Sequence, residues 1–430
     1  MNYLCIHCHF YQPPRENPWL EEIELQDSAY PYHDWNERIT AECYGPNLAA
    51  RILDEQQRIA RIVNNYSKIS YNFGPTLLSW AAEHSPTEYK GIIDSDKQSQ
   101  KYFSGHGSAV AQAYNHMIMP LASRRDKITQ IRWGLDDFVF RFGRPPEGMW
   151  LPETAVDLET LDLMAEAGIN YAILAPHQAK AVRPLEGGDW RDVSGSKIDP
   201  TRAYLVKTPS GRAINLFFYD GPISQAVAFE KLLHDGGGFA ARLTGAFSSE
   251  RTWPQLMHIA TDGETYGHHH RHGEMALAYA LNTVETRKTA KITNYGEFLA
   301  LFPPTHEVLI INNTSWSCVH GVERWRSNCG CNGGRPGWNQ EWRRPLREAL
   351  DWLRDHITPR FEALGAKLLS DPWAARDGYI SVVLDRTSES RVRFGQQHFA
   401  RILTAEEQVT VWKLMELQRH AMLMYTSCGW

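Results

Sequence analysis

The stretch from Gly148 to Leu174 constrains the fold more than any other. It reads as a short apolar strand (Gly148–Leu151), a helix (Thr154–Ala167) ended by Gly168, and a second apolar strand (Tyr171–Leu174). Strands joined through a helix run parallel, because a tight hairpin can only reverse the chain. A parallel sheet needs cover on both faces, so this unit predicts an α/β protein built from repeats of the same kind.

The first part of the chain continues the pattern. A strand is expected over Tyr3–His9, and a helix over Asn47–Tyr66 from the stripe Ile52, Leu53, Ile59, Ile62 and Val63. Lys68–Phe73 reads as a strand stopped by Gly74-Pro75, and Arg124–Phe142 as a helix ending at Gly143. Tyr204–Thr208 and Ile214–Tyr219 flank Pro209-Ser210-Gly211 as a hairpin, and the buried strand Met257–Thr261 leads to a helix over Gly273–Arg287. Such alternation over about 300 residues favours a parallel barrel over an open sheet. From Trp338 strand signals fade, and Trp342–His356, Pro359–Leu369 and Glu406–Met424 read as helices. The expected division is a catalytic barrel over 1–310, a connecting segment contributing to the site over 311–334, and a helical domain over 335–430. The helix Glu406–Met424 has a broad apolar face that should pack against the barrel or its neighbouring helices and complete a cleft. It runs into YTSCGW without a polar tail, as the front part of a longer protein would.

Charge narrows the partners. Lys and Arg number 45 against 50 Asp and Glu, a net charge of -5, which offers no electrostatic reason to bind nucleic acid or an anionic membrane. The apolar run from Tyr3 stops at His7, too short for a signal segment, and no run approaches the roughly 20 apolar residues of a membrane span. Seven cysteines, odd in number and unevenly spaced, then read as reduced thiols of a cytoplasmic protein. Nothing in the sequence specifies an oligomeric state. The 15 tryptophans supply flat faces that suit sugar rings as well as a core.

In parallel α/β folds, polar groups at the carboxyl ends of strands meet the substrate. Four such groups stand out. IHCHFYQ places His7 and His9 on one strand face beside Gln12; MWLPETA places Glu153 after a strand; FFYDG places Asp220; HIATDGE places Asp262 before Gly263. Taken singly, Glu153 also fits an ordinary helix N-terminus and Asp262-Gly263 an ordinary turn. Together, two opposed carboxylates are what glycosidic bond cleavage requires, one as nucleophile or base and one as proton donor.

Asp262 opens the run ATDGETYGHHHRHGE. A metal there would use His268 and His272, or His268-His269-His270, yet no HExxH occurs and Gly267 and Gly273 interrupt any helix that would align such ligands. The better reading takes Asp262 as the acid and the histidines, His268 among them, as its surroundings. Cys318-x-His320 with Cys329-x-Cys331 offers four soft ligands, but the spacing is not the usual Cys-x-x-Cys knuckle, and packed, reduced cysteines are the favoured reading. No cofactor and no metal is expected.

These segments resemble glycoside hydrolase family 57, retaining enzymes acting mostly on α-glucans. The family's His-x-His then Gln-Pro is similar to His7-Cys8-His9 then Gln12-Pro13, with Phe10-Tyr11 inserted; its Trp-Leu-x-Glu to Trp150–Glu153; its Asp-Gly-Glu-x-x-Gly to Asp262–Gly267; and its Trp-His-Gly region to Trp316 and His320-Gly321. A second region departs: Gly105-His106-Gly107-Ser108 stands where Gly-Gln-x-Glu is expected, and His116 is the polar group available instead. The resemblance implies an α/β fold, an incomplete (β/α)7 barrel followed by a helical region. It implies Glu153 as nucleophile and Asp262 as acid/base, with His7, His9, Gln12, Trp150, Asp220, Glu264, His268, Trp316 and His320 as sugar contacts. The partner is then an oligosaccharide or polysaccharide, transformed by hydrolysis or by transfer to another sugar. The rivals are a metal-dependent carbohydrate enzyme (an α-mannosidase or deacetylase) using His7, His9, Asp262 and a loop histidine, and a non-catalytic glycan-binding protein.

Overall fold

A computed structural model of the chain describes residues 1–429; Trp430, at the end of the expected C-terminal run, lies outside them. The chain divides into two compact units that interleave in sequence. One gathers Met1–Ala111, Pro146–Trp150 and Gly168–Ile311, the other Gln112–Pro145, Leu151–Ala167 and Asn312–Trp430. Compactness therefore cuts across a linear division at 310 and 335.

The principal strands, in the first unit except that Gln112 of β3 belongs to the second, are β1 (Asn2–Phe10), β2 (Ser70–Phe73), β3 (Ala111–Gln112), β4 (Met149–Trp150), β5 (Tyr171–Leu174), β6 (Ala213–Phe218) and β7 (Gln255–Asp262). From Tyr3 to Phe10 every residue of β1 is buried, as expected of a strand covered on both faces. It runs parallel to β7 from Asn2↔Gln255 to His9↔Asp262, and on its other side to β2 from His7↔Ser70 to Phe10↔Phe73. Strands β5 and β6 pair in parallel, and β6 folds back antiparallel onto Ala203–Lys207, the expected hairpin. The hydrogen-bonded strands fall into sheets of four, six, two and two strands rather than one closed ladder. Isolated parallel bridges, Tyr71↔Ala109 and Gly148↔Tyr171, stand between some of them, and Asp220 N–H donates to the His258 carbonyl at 2.9 Å.

One expected element is replaced. Asn47–Tyr66 is not a helix: a helical turn ends at Leu48, and Ala50–Leu53 pairs antiparallel with Ile59–Val63. Four of the five residues in that stripe, Ile52, Ile59, Ile62 and Val63, are β-branched, which suits a strand. The Asp54 carboxylate accepts the backbone N–H groups of Gln56 and Arg58 and fixes that turn, while Ala50 and Ile52 pack on Ala278.

The second unit is largely helical. Arg124–Phe142 runs from the Ser123 cap to Gly143 as predicted, and Arg343–Gly365 is one helix that carries Pro359 inside it, where two were expected. Ala405–Leu423 closes the unit behind a Thr404/Glu407 capping box. Its Val411, Leu414, Met415 and Met422 join Trp133, Phe361, Tyr379 and Phe394 in one core, whereas Val409 and Leu417 remain exposed. No helix among the described residues is long and apolar enough to cross a membrane.

A buried cation ties these helices. Arg376 is 2% exposed and donates to Asp126 Oδ1 (2.7 Å), Gln418 Oε1 (3.1 Å), Thr129 Oγ1 (2.7 Å) and the Arg125 carbonyl (3.0 Å). Removing one member of a buried pair leaves the other charge uncompensated. Asp126→Ala is therefore expected to lower the unfolding free energy by about 3–5 kcal/mol in a denaturant titration. A loss below about 1 kcal/mol would show that the pair is not what holds the helices.

Candidate active site

In the first unit the expected residues converge on the carboxyl ends of β1 and β7. His7 and His9 leave β1 on the same side, two residues apart, and both rings stack on the indole of Trp150 at the end of β4, with centroids 4.8 and 5.0 Å away and 22° between planes. Asn72 on β2 bridges them: its amide N–H₂ donates to His9 Nδ1 (2.9 Å) and its oxygen accepts from His7 Nε2 (3.2 Å), while the Ser70 hydroxyl donates to His7 Nδ1 (3.0 Å). Each neutral ring then carries its proton on Nε2. Burial pushes both imidazoles down to about 3, so they are uncharged donors.

Asp262 is the last residue of β7, opposite His9, and is exposed although the seven residues before it are buried. Gly263 follows for a packing reason, since a Cβ there would sit 2.2 Å from the Phe10 ring. Tyr219, after β6, lies close enough that burial and the Asp262 carboxylate together push its phenol up. Glu264 turns inward. It is 5% exposed, and its Oε1 accepts from the Tyr44 hydroxyl (2.6 Å) and the Tyr11 N–H (3.0 Å). Burial raises its carboxyl to about 7 against those hydrogen bonds. Gln12 accepts from Arg15 at 2.8 Å.

Trp150 has no exposed surface and Glu264 almost none, so in this structure both stand behind the surface rather than on it. Asp220 caps the helix Gly221–Phe229, accepting the Ile223 N–H at 2.9 Å, so that one carboxylate oxygen is engaged in holding backbone. The histidine run is an ordered turn: His268 pairs with Glu42, His270 donates to the Ala228 carbonyl (3.0 Å), and His272 begins the helix Gly273–Arg287 with φ at 65°. His268, His269 and His270 thus do not converge on one point as metal ligands would.

Glu153 belongs to the second unit, and its local structure corrects the expectation of a helix start. The helix begins only at Leu158, behind the Asp157 cap. Glu153 and Thr154 instead both adopt left-handed backbone, φ 57° and 48°, in a pair of tight turns closed by Thr154 N–H to Leu151 and Ala155 N–H to Pro152. Consecutive positive φ angles normally call for Asn-Gly, and two larger residues there cost of order 1–3 kcal/mol each. Trp316 holds the turn twice, donating its indole N–H to Glu153 Oε2 and its backbone N–H to the Glu153 carbonyl, both at 3.0 Å. Strain of this sort persists where a side chain must be aimed. His116 is buried in the same unit against Ser427, and His320 stands exposed beside Cys318 and Cys331.

The model of glycosyl hydrolase family 57 matches residues 5–310. The chain belongs to that family. A domain of unknown function, DUF3536, matches 338–430. Glu153 and Asp262 both lie inside the family match. Over 107 residues the chain is 28% identical to alpha-amylase 1 of Dictyoglomus thermophilum, an alignment covering 25% of this chain and 15% of that relative's length. Two solved structures are similar in fold. A maltose-forming amylase of exo type from Pyrococcus sp. ST04 has 17% identity and a TM-score of 0.69, covering 99% of this chain and 75% of that one. A GH57-type branching enzyme from Pyrococcus horikoshii has 15% identity and a TM-score of 0.60, covering 99% and 97%.

Sequence reasoning missed Asn72, Ser70, Tyr44 and Tyr219. A signal existed for the first two: SYNF puts polar side chains in a strand buried at all four positions.

The buried imidazoles set a pH dependence. His7, His9 and His258 stand at about 3, 3 and 4 against an ordinary 6.5, chiefly through burial. The unfolded chain takes up protons below 6.5 that the folded chain refuses, so their stability contribution is complete above 6.5 and is lost as pH falls toward 4 and 3. Each histidine should remove about 1.4 kcal/mol per pH unit below 6.5. Glu264, raised from 4.5 to about 7, acts oppositely, its contribution being complete below 4.5 and lost as pH rises through 7. Three terms outweigh one, so denaturant unfolding at pH 6.5 and 5 should show a clear net loss at the lower pH. A flat or rising profile would overturn the neutral assignment.

Proposed function

We propose that this chain is an α-glucan-active enzyme working by double displacement, with Glu153 as nucleophile and Asp262 as acid/base. The observation that carries the reading is the left-handed backbone at Glu153, clamped by Trp316, at the position of the family's nucleophile motif. In the first step Glu153 attacks the anomeric carbon while Asp262 gives its proton to the leaving oxygen. In the second, Asp262 takes a proton from water or from a sugar hydroxyl as that oxygen displaces Glu153. Water gives hydrolysis and a sugar gives transfer.

His9, neutral and held on Trp150, would offer its Nε2–H to a sugar hydroxyl without competing for the acid's proton, and His7, whose Nε2–H is given to Asn72, would support that contact from behind. Gln12, Asp220, His268, Trp316 and His320 are proposed as further sugar contacts, and Trp150 and Glu264 as the layer that positions them. Residues 1–310 are proposed as the catalytic module, 311–334 as the segment that brings Trp316 to Glu153, and 335–430 as the helical domain. The order β7-β1-β2 and β5-β6, with the bridges Tyr71↔Ala109 and Gly148↔Tyr171 and the Asp220–His258 hydrogen bond, supports reading the module as an incomplete seven-stranded barrel.

Incubation with maltooligosaccharides and glycogen, with products resolved by size and linkage, tests the substrate class. Proton NMR of the first products should show retained α configuration. Glu153→Gln should abolish turnover while glucan binding survives. Asp262→Asn should slow unactivated substrates by about 10²–10⁴-fold, with partial recovery of the first step when the leaving group is a nitrophenol. Inverted products, or near-normal rates in either variant, would sink the assignment.

A further inference from the structure

Cys318, His320, Cys329 and Cys331 bring one ligand atom each within 4.8 Å of one another, and the separations among Cys318, His320 and Cys331 are those of a tetrahedral site. Cys318 Sγ lies 3.7 Å from Cys331 Sγ, and His320 Nδ1 lies 3.6 Å from each of these sulfurs. Bonds of about 2.3 Å to sulfur and about 2.0–2.1 Å to nitrogen, at tetrahedral angles, put S···S near about 3.8 Å and S···N near about 3.6 Å. Casual packing of a buried cysteine would not bring in an exposed histidine and an exposed cysteine from 2 and 13 residues away at those spacings. We propose that these four side chains form a structural zinc site of Cys₃His type, closed to further ligands.

Three features of the surroundings fit this site. First, the chain from Arg326 to Trp342 forms neither helix nor strand, and loops of that length in compact proteins need some other restraint. A metal joining residues 318, 320, 329 and 331 supplies one. Second, binding replaces three thiol protons, released to solvent, by one divalent cation, leaving the centre with a single negative charge. Arg343 Nη1 donates to Cys329 Sγ at 3.5 Å, an outer-shell cation where that charge falls. Third, the turn that brings Cys318 and His320 together admits only glycine at 321. Its φ is +63°, and a Cβ would lie 2.0 Å from the Asn313 carbonyl oxygen.

The site has a structural consequence. Trp316, two residues before Cys318, carries both hydrogen bonds to Glu153. A metal that fixes 318–331 therefore steadies the segment that aims Glu153. The zinc assignment itself does not rest on the glucan reading, and its test does not use activity.

The full chain, made in zinc-supplemented medium without a histidine tag and dialysed, should hold about one zinc per chain by elemental analysis, with X-ray absorption showing three sulfurs at about 2.3 Å and one nitrogen at about 2.0–2.1 Å. Cobalt in its place should give thiolate-to-cobalt charge transfer and tetrahedral d–d bands. The double variant Cys329→Ser/Cys331→Ser should lose the metal, whereas His268→Gln/His272→Gln should keep it. Should the cysteine variant fail to fold, the absorption spectrum and metal content of the unaltered chain still decide. A metal-free chain, an oxygen- and nitrogen-only shell, loss of zinc with the His268/His272 pair, or a Cys318–Cys331 disulfide in the purified protein would each overturn the proposal.

Discussion

Everything in the first unit depends on a strand that cannot be moved. β1 is buried along both faces and pairs with β7 through eight registers and with β2 through four. A parallel strand so enclosed must satisfy every polar group it carries, because an unpartnered one inside costs about 1–3 kcal/mol. β1 carries two imidazoles. Asn72 and Ser70 on β2 meet that demand, and Trp150 fills the space over both rings. The strand that anchors the sheet thus also fixes the orientation and the protonation of the two histidines at its end.

The second unit stores strain where the first stores polarity. Glu153 and Thr154 hold a backbone conformation that neither would choose, and the surrounding contacts must exceed its cost. Trp316 supplies two of them from a segment that is itself tightly reversed at Gly321. Both units therefore over-determine the support of candidate site residues, His7 and His9 by hydrogen-bonded burial and Glu153 by a clamped turn. The family to which the chain belongs and the chemistry proposed for Glu153 and Asp262 both require fixed carboxylates, since catalysis by positioned acids is lost with small displacements.

The parts of the fold legible in the sequence were those whose signal is local. Arg124–Phe142, Tyr171–Leu174 and Gly273–Arg287 occur with the predicted bounds, because their apolar patterns are local and, for Arg124–Phe142, the Ser123 cap and the Gly143 stop lie directly beside the element. Ala50–Val63 was not legible, since its apolar spacing suggested a helical stripe, whereas the β-branched residues pair as a hairpin with Ala50 and Ile52 packed on Ala278. Pro359 did not end its helix, which continues to Gly365 with Phe361 buried in the unit's core, so packing of the whole element overrode the local signal.

The sequence by itself determined the α/β class, the helical character beyond residue 338, the strand-end positions of His7, His9 and Asp262, and the family. These follow from residue type and spacing, which the chain carries without folding. Only the tertiary structure decided that His7 and His9 are neutral, that Trp150 and Glu264 lie behind the surface, that Asp220 caps a helix, and that Glu153 sits in a left-handed turn. It also brought Cys318, His320, Cys329 and Cys331 to ligand spacing. Burial, stacking and convergence join residues tens to hundreds of positions apart, and no local pattern encodes which of them will meet.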